Sequence, residues 1–243
     1  MSLPVFLSAE VPGASTGSVV ELSGDEGRHA VVVRRIRVGE QIILTDGAGV
    51  VATCSVDATA KSSLTARVLS SSVMPREEPA VTVVQAIPKG DRGELAVEML
   101  TEVGVDRIVP WAAARCVAVW RDERIEKSLA KWRATSREAA KQSRRVWFPS
   151  VTGVASTDDV AGLLASADLG VVLHEAATTS LAGLAVPVAG SVVVVVGPEG
   201  GLGEEELAAF SSATVVRLGS SVLRTSTAGV AAVSALLSRT PRW

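Results

Sequence analysis

Hydrophobic positions follow two regimes that change near residue 80. Before it, apolar runs are short or alternate with polar residues, at 5–7, 18–22, 41–44, 50–56 and 64–69. Gly13, Gly17, Gly24, Gly39 and Asp46-Gly47 punctuate them, and Asp46-Gly47-Ala48-Gly49 between two runs is a hairpin signal. Short strands at this spacing predict a small β-barrel. The stretch from Arg28 and His29 through Arg34, Arg35 and Arg37 interrupts them as a short helix with cations at one end.

Beyond residue 80 the period lengthens. Residues 81–87 are a nearly continuous apolar run, as in a strand buried on both faces. Pro88-Lys89-Gly90 ends it. Asp91 with Glu94 reads as an N-cap pair. Leu95, Met99 and Val103 then recur on one helical face, with Glu94, Glu98 and Glu102 on another, until Gly104. A strand starts at Ile108-Val109, and this β-loop-α-β order predicts a parallel α/β sheet. Helices are expected over 123–145 and 157–164, and a strand over 170–173. Between the regimes, 70–79 carries Ser70-Ser71-Ser72, Pro75, Pro79 and the charges of Arg76, Glu77 and Glu78, and reads as a linker. The expected domains are therefore a barrel at 1–72 and an α/β domain at 77–243.

The end of the chain repeats a strand-to-loop-to-helix unit. Valines at 192–196 lead into Gly197-Pro198-Glu199-Gly200-Gly201-Leu202-Gly203, the acids Glu204, Glu205 and Glu206, and a helical pattern to Phe210. Residues 215–219, ending in Leu218-Gly219, lead into Leu223-Arg224-Thr225-Ser226-Thr227-Ala228 and an apolar helix to Leu237. Ligands of open α/β sheets sit at such carboxyl ends of strands. The glycines let a backbone approach a bound molecule. The loop is neither GxGxxG nor a phosphate loop with its lysine. Its acids suit a helix N-terminus and repel polyphosphate, which implies a neutral or locally cationic ligand. A tight turn with no ligand explains the glycines equally well.

Gly197-Pro198-Glu199-Gly200-Gly201, Leu218-Gly219 and Val222-Leu223-Arg224-Thr225 resemble the signature of SPOUT-type RNA methyltransferases, and within them the 16S rRNA (uracil-N3) methyltransferase family. Further stretches are similar to that family: Leu173-His174-Glu175, Lys89-Gly90-Asp91-Arg92, Thr101-Glu102-Val103-Gly104, Glu138-Ala139-Ala140-Lys141-Gln142-Ser143-Arg144-Arg145, and His29 with Arg34 and Arg35. The resemblance implies a PUA-like RNA-binding barrel and an α/β domain with a deep trefoil knot. It implies S-adenosylmethionine as cofactor, held by Leu173, His174, Glu175, Gly197, Pro198, Glu199, Gly200, Gly201, Leu218, Gly219 and residues 223–228. The activity implied is methylation of N3 of a uridine in 16S rRNA of the small ribosomal subunit. A related enzyme acting on a ribose 2′-hydroxyl or another base is the alternative. A homodimer is implied as well. The family often reads Arg-Thr-Glu-Thr where this chain has Arg224-Thr225-Ser226-Thr227, so no role for an acid there carries over.

Composition narrows the picture. The 243 residues carry a net charge of −2, so an RNA surface has to be a local patch. One such patch is legible: Arg133, Arg137 and Lys141 recur every four residues, and Arg144 and Arg145 close the row. On one helix they make a cationic stripe of the kind phosphate backbones need. With Arg28, His29, Arg34, Arg35 and Lys89 they form the expected RNA-binding set. The reaction that the resemblance implies needs a cation to stabilise the uracil anion formed when N3 loses its proton, a role expected of Arg224 or Arg144. Aromatic residues are only 3% and Tyr is absent, which argues against a base-stacking platform. Cys54 and Cys116 make no metal or disulfide pattern and fit a reducing cytoplasm. No metal and no membrane association are expected.

Overall fold

The computed structural model describes residues 3–243. Two compact units are present. One comprises the described residues through Arg76 together with Ala140–Phe148, and the other comprises Glu77–Ala139 with Pro149–Trp243.

The first unit is built on a five-stranded sheet. Its strands are β1 (Val5–Leu7), β2 (Val19–Leu22), β3 (Gln41–Thr45), β4 (Val50–Thr59) and β5 (Leu64–Val73), in the order β1-β3-β4-β5-β2. Only β1 and β3 pair in parallel. The sheet curls around Phe6, Leu22, Ile42, Leu44, Ala66 and their neighbours as a half-barrel with β1 and β2 at its edges. The β3–β4 hairpin turns at Asp46, whose carboxylate accepts from the amides of Ala48 and Val50 at 2.7 and 2.9 Å. Helix α1 (Gly24–Arg28) runs into a π-helical turn at His29–Val33.

Two expectations are corrected here. The serines of the predicted linker are strand: β5 continues through Ser70–Ser72 to Val73. Ten-residue β4 supplies partners for them, Thr53 to Val50, and their small side chains lie on exposed positions. The second correction concerns residues 140–148, which the contiguous division assigns to the α/β domain. Trp147 lies where a Cβ on Gly49 would stand 2.4 Å from its ring, and Phe148 covers Gly47 in the same way at 3.0 Å. Trp147 also donates to the Met74 carbonyl at 2.9 Å, and Arg76 stacks 4.0 Å from its ring centroid. Glycine at both hairpin positions makes room for two aromatic rings from far along the chain.

The second unit is an all-parallel sheet of six strands. In chain order they are β6 (Ala80–Ala86), β7 (Arg107–Trp111), β8 (Ser150–Val151), β9 (Leu169–Leu173), β10 (Ser191–Val196) and β11 (Thr214–Val216). In the sheet they run β11-β9-β10-β6-β7-β8. Helices α2 (Arg92–Glu102), α3 (Glu123–Gln142), α4 (Thr157–Ala165), α5 (Glu204–Ala209) and α6 (Thr225–Leu237) connect or flank them. The valine run is explained by this position. Val192, Val194 and Val196 face one core with α2 and α6, while Val193 and Val195 face the other core with Val160, Leu164 and Phe210. A strand buried on both faces reads as unbroken hydrophobicity.

Helix α2 buries Gly93, Ala96, Val97, Leu100 and Thr101, whereas Leu95 is 45% exposed. The predicted Leu95–Met99–Val103 face is therefore not the core face. The small residues fill it because Trp132 of α3 lies against Gly93, where a Cβ would stand 2.8 Å from the ring. The expected N-cap pair also differs. Asp91 makes no capping bond, and Glu94 instead pairs with Lys131 at 2.9 Å. Helix α3 stops at Gln142, ahead of the predicted Arg145, because Arg144 adopts a left-handed φ of 57°.

Arg242 ties the end of the chain to this unit. Its side chain is 2% exposed and donates to the carbonyls of Pro79 and Gly104 and to Asp106, at 2.7, 2.6 and 2.7 Å. Removing one partner of a buried ion pair strands the other charge. Arg242→Ala is expected to destabilise the protein by about 3–5 kcal/mol, measured by urea unfolding followed through tryptophan fluorescence.

Candidate functional site

The carboxyl ends of β9, β10 and β11 open onto a cleft of about 520 Å³ within the second unit. Three loops line it. Leu173, His174 and Glu175 follow β9. Gly197, Pro198, Glu199 and Gly201 follow β10. Leu218, Gly219, Leu223 and Arg224 follow β11 and lead to Thr225 and Ala228 on α6. Segments up to 55 residues apart in sequence are thus gathered because the parallel strands all end at the same edge.

Each loop is held in place by backbone bonds. The His174 amide donates to the Val216 carbonyl at 2.9 Å, and Arg217 exchanges bonds with Thr179 and Leu181. His174 Nδ1 accepts from the Ala176 amide at 3.1 Å. A neutral ring in this arrangement carries its proton on Nε2, so His174 shapes its own turn and presents a donor rather than a base. In the glycine loop, the Gly201 amide closes a turn on the Pro198 carbonyl at 3.0 Å with φ of 71°.

Charged side chains brace that loop. Glu199 accepts from the Lys89 amide at 3.2 Å. Glu206, 3% exposed, accepts from the amides of Ala114 and Gly203, both at 2.8 Å. Arg115 donates to the carbonyls of Gly200 and Leu202, both at 3.4 Å. Two of the acids expected to repel anions thus act as backbone acceptors. Meanwhile Arg92, Arg217 and Arg224 line the cleft. The field of the site is therefore mixed, which corrects the purely acidic reading of its glycine loop.

Three expected cofactor contacts fall outside the lining. A Cβ on Gly200 would meet Arg115, 2.8 Å from its Cβ and 2.9 Å from its carbonyl oxygen, so this glycine is required by Arg115 rather than by a ligand. Ser226 is buried on α6, and the Thr227 hydroxyl turns back to the Arg224 carbonyl at 3.1 Å. The sequence reading missed Arg92, Arg217 and residues 220–222. Arg92 was findable, since it opens the helix that follows a strand's carboxyl end. Ser220 and Ser221 carry no motif of their own, and Val222 belongs to the quoted signature without having been assigned to the cofactor.

The expected RNA-binding residues divide between the units. In the first, Arg28, Arg34 and Arg35 are exposed around the π-helical turn, with Arg35 at a left-handed φ of 56°. His29 is half-buried edge-on to Phe6 at 5.8 Å. Arg144 is exposed and Arg145 half-buried. In the second unit Lys89, Arg133 and Arg137 are exposed. Arg133 reaches the Val151 carbonyl at 3.3 Å, and Arg137 lies 3.8 Å from Glu138.

Lys141 does not belong to an exposed stripe. It is 7% exposed and pairs with Glu26 at 2.7 Å inside the first unit, while Glu26 also accepts from the Leu7 amide. The four-residue spacing put it in the row, but Glu26 takes up its ammonium. Cys54 is likewise buried, which pushes its thiol up to about 11. Among the described residues no His, Cys, Asp and Glu group has the makings of a metal site, and no helix is long and apolar enough to cross a membrane.

Residues 76–237 match the family model of an RNA methyltransferase domain, and residues 22–69 that of an RNA methyltransferase PUA domain. Fold and site thus define the class of α/β RNA methyltransferases that carry an N-terminal PUA domain. Ribosomal RNA small subunit methyltransferase E of Mycobacterium bovis is 49% identical over 94% of this chain and 89% of its own length. That of Bacillus subtilis is 32% identical over 88% of each. The crystal structure of the Neisseria gonorrhoeae enzyme of that name, bound to S-adenosyl methionine, superposes with a TM-score of 0.86 at 30% identity over 98% of each chain. The chain belongs to the ribosomal RNA small subunit methyltransferase E family.

The two kinds of cation separate experimentally. Lys141→Ala leaves Glu26 without its buried partner and is expected to cost about 3–5 kcal/mol. Arg137→Ala, at an exposed position, is expected to change stability by no more than about 0.5 kcal/mol. Thermal unfolding of both variants checks the contrast.

Proposed function

We propose that this protein transfers the methyl group of S-adenosylmethionine to N3 of a uridine in 16S rRNA. The observation that carries the reading is the mixed charge of the cleft. Glu175 and Glu199 line it together with Arg92, Arg217 and Arg224. A ligand with a cationic sulfonium and ammonium and an anionic carboxylate fits such a lining, and a polyphosphate or a plain cation does not. The glycine loop allows close backbone approach. The cleft size is ordinary for a cofactor site. Family membership supports the same reading, and the solved relative named above was crystallised with this cofactor.

The bound cofactor supplies an electrophilic methyl carbon on sulfur. With it bound, uridine N3 would give its proton to water and bond the methyl carbon as the C–S bond breaks, leaving S-adenosylhomocysteine. The protein's part is to hold the base out of its stack and pairing and to stabilise the anion. Arg224, exposed at the N-cap of α6 and lining the cleft, is our candidate for facing the uracil oxygens, with Arg144 the alternative. His174 is not the base in the tautomer its bond to Ala176 selects. The half-barrel, the exposed cations Arg28, Arg34, Arg35, Lys89, Arg133, Arg137 and Arg144, and half-buried Arg145 hold RNA in this reading. A trefoil knot formed by the three cleft loops, a homodimer through the second unit and a cytoplasmic location belong to it as well.

Incubation with S-adenosylmethionine and undermodified small-subunit RNA, followed by nucleoside analysis, is expected to give 3-methyluridine. A 2′-O-methylated product or another methylated base would replace this assignment with the alternative. RNA binding at two salt concentrations tests the cations. Reversing Arg133 and Arg137 to Glu is expected to lower the salt slope by roughly one unit per lost contact and to leave cofactor affinity unchanged.

A further inference from the structure

Aromatic side chains are few, and most are committed to packing. Phe6, Trp111, Trp132 and Phe210 are buried, Trp120 lies edge-on to Trp132 at 5.1 Å, and Phe148 covers Gly47. Trp147 is placed differently. It is half-buried in the first unit, and the guanidinium of Arg76 lies over its ring, 4.0 Å from the centroid.

The indole is fixed before anything binds. Residues 146–148 run antiparallel to the β3–β4 turn. The Gly49 amide donates to the Val146 carbonyl at 3.3 Å, the Phe148 amide donates to the Gly47 carbonyl at 2.8 Å, and Trp147 stands opposite Ala48. The indole N–H is held by the Met74 carbonyl at 2.9 Å. Gly49, at a φ of 107°, leaves room for the ring. A plane ordered in this way receives a flat ligand without the entropic cost of ordering it.

Arg76 supplies the exposed half of the stack. Among the described residues its guanidinium makes no hydrogen bond and no ion pair. Two acids follow it in sequence, yet Glu77 turns to Arg242 at 3.3 Å. One face of the guanidinium rests on the indole, and the exposed side chain leaves the other to solvent. Unstacked bases of RNA lie on aromatic rings and on arginine planes alike.

The surroundings suit a nucleotide. Val73 and Met74, 74% and 45% exposed, precede Arg76 and add apolar surface. Arg144 comes three residues before Trp147, at most about 11 Å away along the chain. It is exposed and has no side-chain partner among the described residues. The amides of Arg144 and Arg145 close the end of α3 onto the carbonyls of Lys141 and Ala140, at 3.1 and 2.9 Å. Glycine is the usual residue at the left-handed position of such a helix end, and Arg144 occupies it with a φ of 57°. That costly backbone conformation sets an unpaired cation near the stack.

We propose that the Trp147–Arg76 stack binds a single unpaired base of RNA, which lies on the outer face of the guanidinium while Arg144 takes a neighbouring phosphate. The proposal rests on the RNA reading of the first unit and adds a contact to a base where the cations alone give contacts to phosphates. A base with its phosphate answers both the flat plane and the unpaired cation, whereas an acidic peptide answers only the second. One stack is not a platform for many bases, in keeping with the low aromatic content.

Arg76→Lys tests it, because lysine keeps the charge and loses the plane. Binding of short single-stranded RNAs of mixed sequence to the full chain is followed at several salt concentrations, with 2-aminopurine placed at each position in turn. One position is expected to lose fluorescence on the wild type and to keep it on Arg76→Lys. Affinity is expected to fall about fivefold to hundredfold, with the salt slope unchanged because no phosphate contact has gone. Arg144→Gln is expected to do the reverse, lowering the slope by roughly one unit and keeping the quenching. Ligand-free Arg76→Lys is expected to melt near the wild-type temperature, since the position is exposed. Wild-type RNA affinity in Arg76→Lys, or no quenched position on the wild type, would overturn the site. So would a lowered slope in Arg76→Ala that Arg76→Lys restores, because Arg76 would then hold a phosphate. A melting point several degrees lower with RNA affinity unchanged would reduce the stack to packing. A wild type that binds no RNA removes the RNA reading itself, an outcome separate from any of these.

Discussion

Strand β10 cannot show a polar side chain to either side. It lies between β6 and β9, and its five valines divide between two cores. With both faces committed to packing, polar chemistry is displaced to the edge where the strands end. The chain leaves β10 at Gly197, and the loops after β9 and β11 leave at the same level because the strands are parallel and in register. The cleft is thus a consequence of the burial pattern. Its walls are backbone-rich because the residues that form them belong to turns.

Turns at such an edge lack the hydrogen-bond ladder that holds the strands, and charged side chains substitute for it. Glu206 reaches two amides, one in its own loop and one in the segment after β7. Arg115 answers from that segment with bonds to two carbonyls of the glycine loop. Arg242 performs the corresponding task for Pro79, Gly104 and Asp106. A buried charge is tolerated only when its lone pairs or protons are matched. These carboxylates and guanidiniums are therefore spent on backbone groups, and counting them as surface charge misjudges the field.

That distinction also decides what the sequence made legible. The alternation of short strands, the double-sided valine run and the loop glycines rest on local periodicity and turn chemistry. They anticipated the two sheets and a ligand site at the loops after β10 and β11, whereas Leu173 entered only through the family resemblance. The errors came where a distant residue overrides a local pattern. Ser70–Ser72 read as linker because serine breaks runs, yet β4 was long enough to pair with them. Lys141 continued a four-residue cationic spacing, yet Glu26, 115 positions earlier, draws it inside. Gly200 looked like room for a ligand and is room for Arg115. No one-dimensional pattern encodes the partner in these cases.

Charge accounting at the whole-chain level is correspondingly uninformative. A net charge of −2 describes a molecule whose acids are partly consumed as braces and caps. Guanidiniums left unpaired at the cleft then govern what enters it, because an unpaired cation in a partly enclosed site acts through a lower dielectric than one in bulk water. The same reasoning separates Arg133 and Arg137 from Lys141. Exposed cations remain available to a phosphate backbone and respond to salt, whereas a buried one is already neutralised and contributes to the fold. Which cations act on a ligand follows from burial and pairing, not from their spacing along the helix.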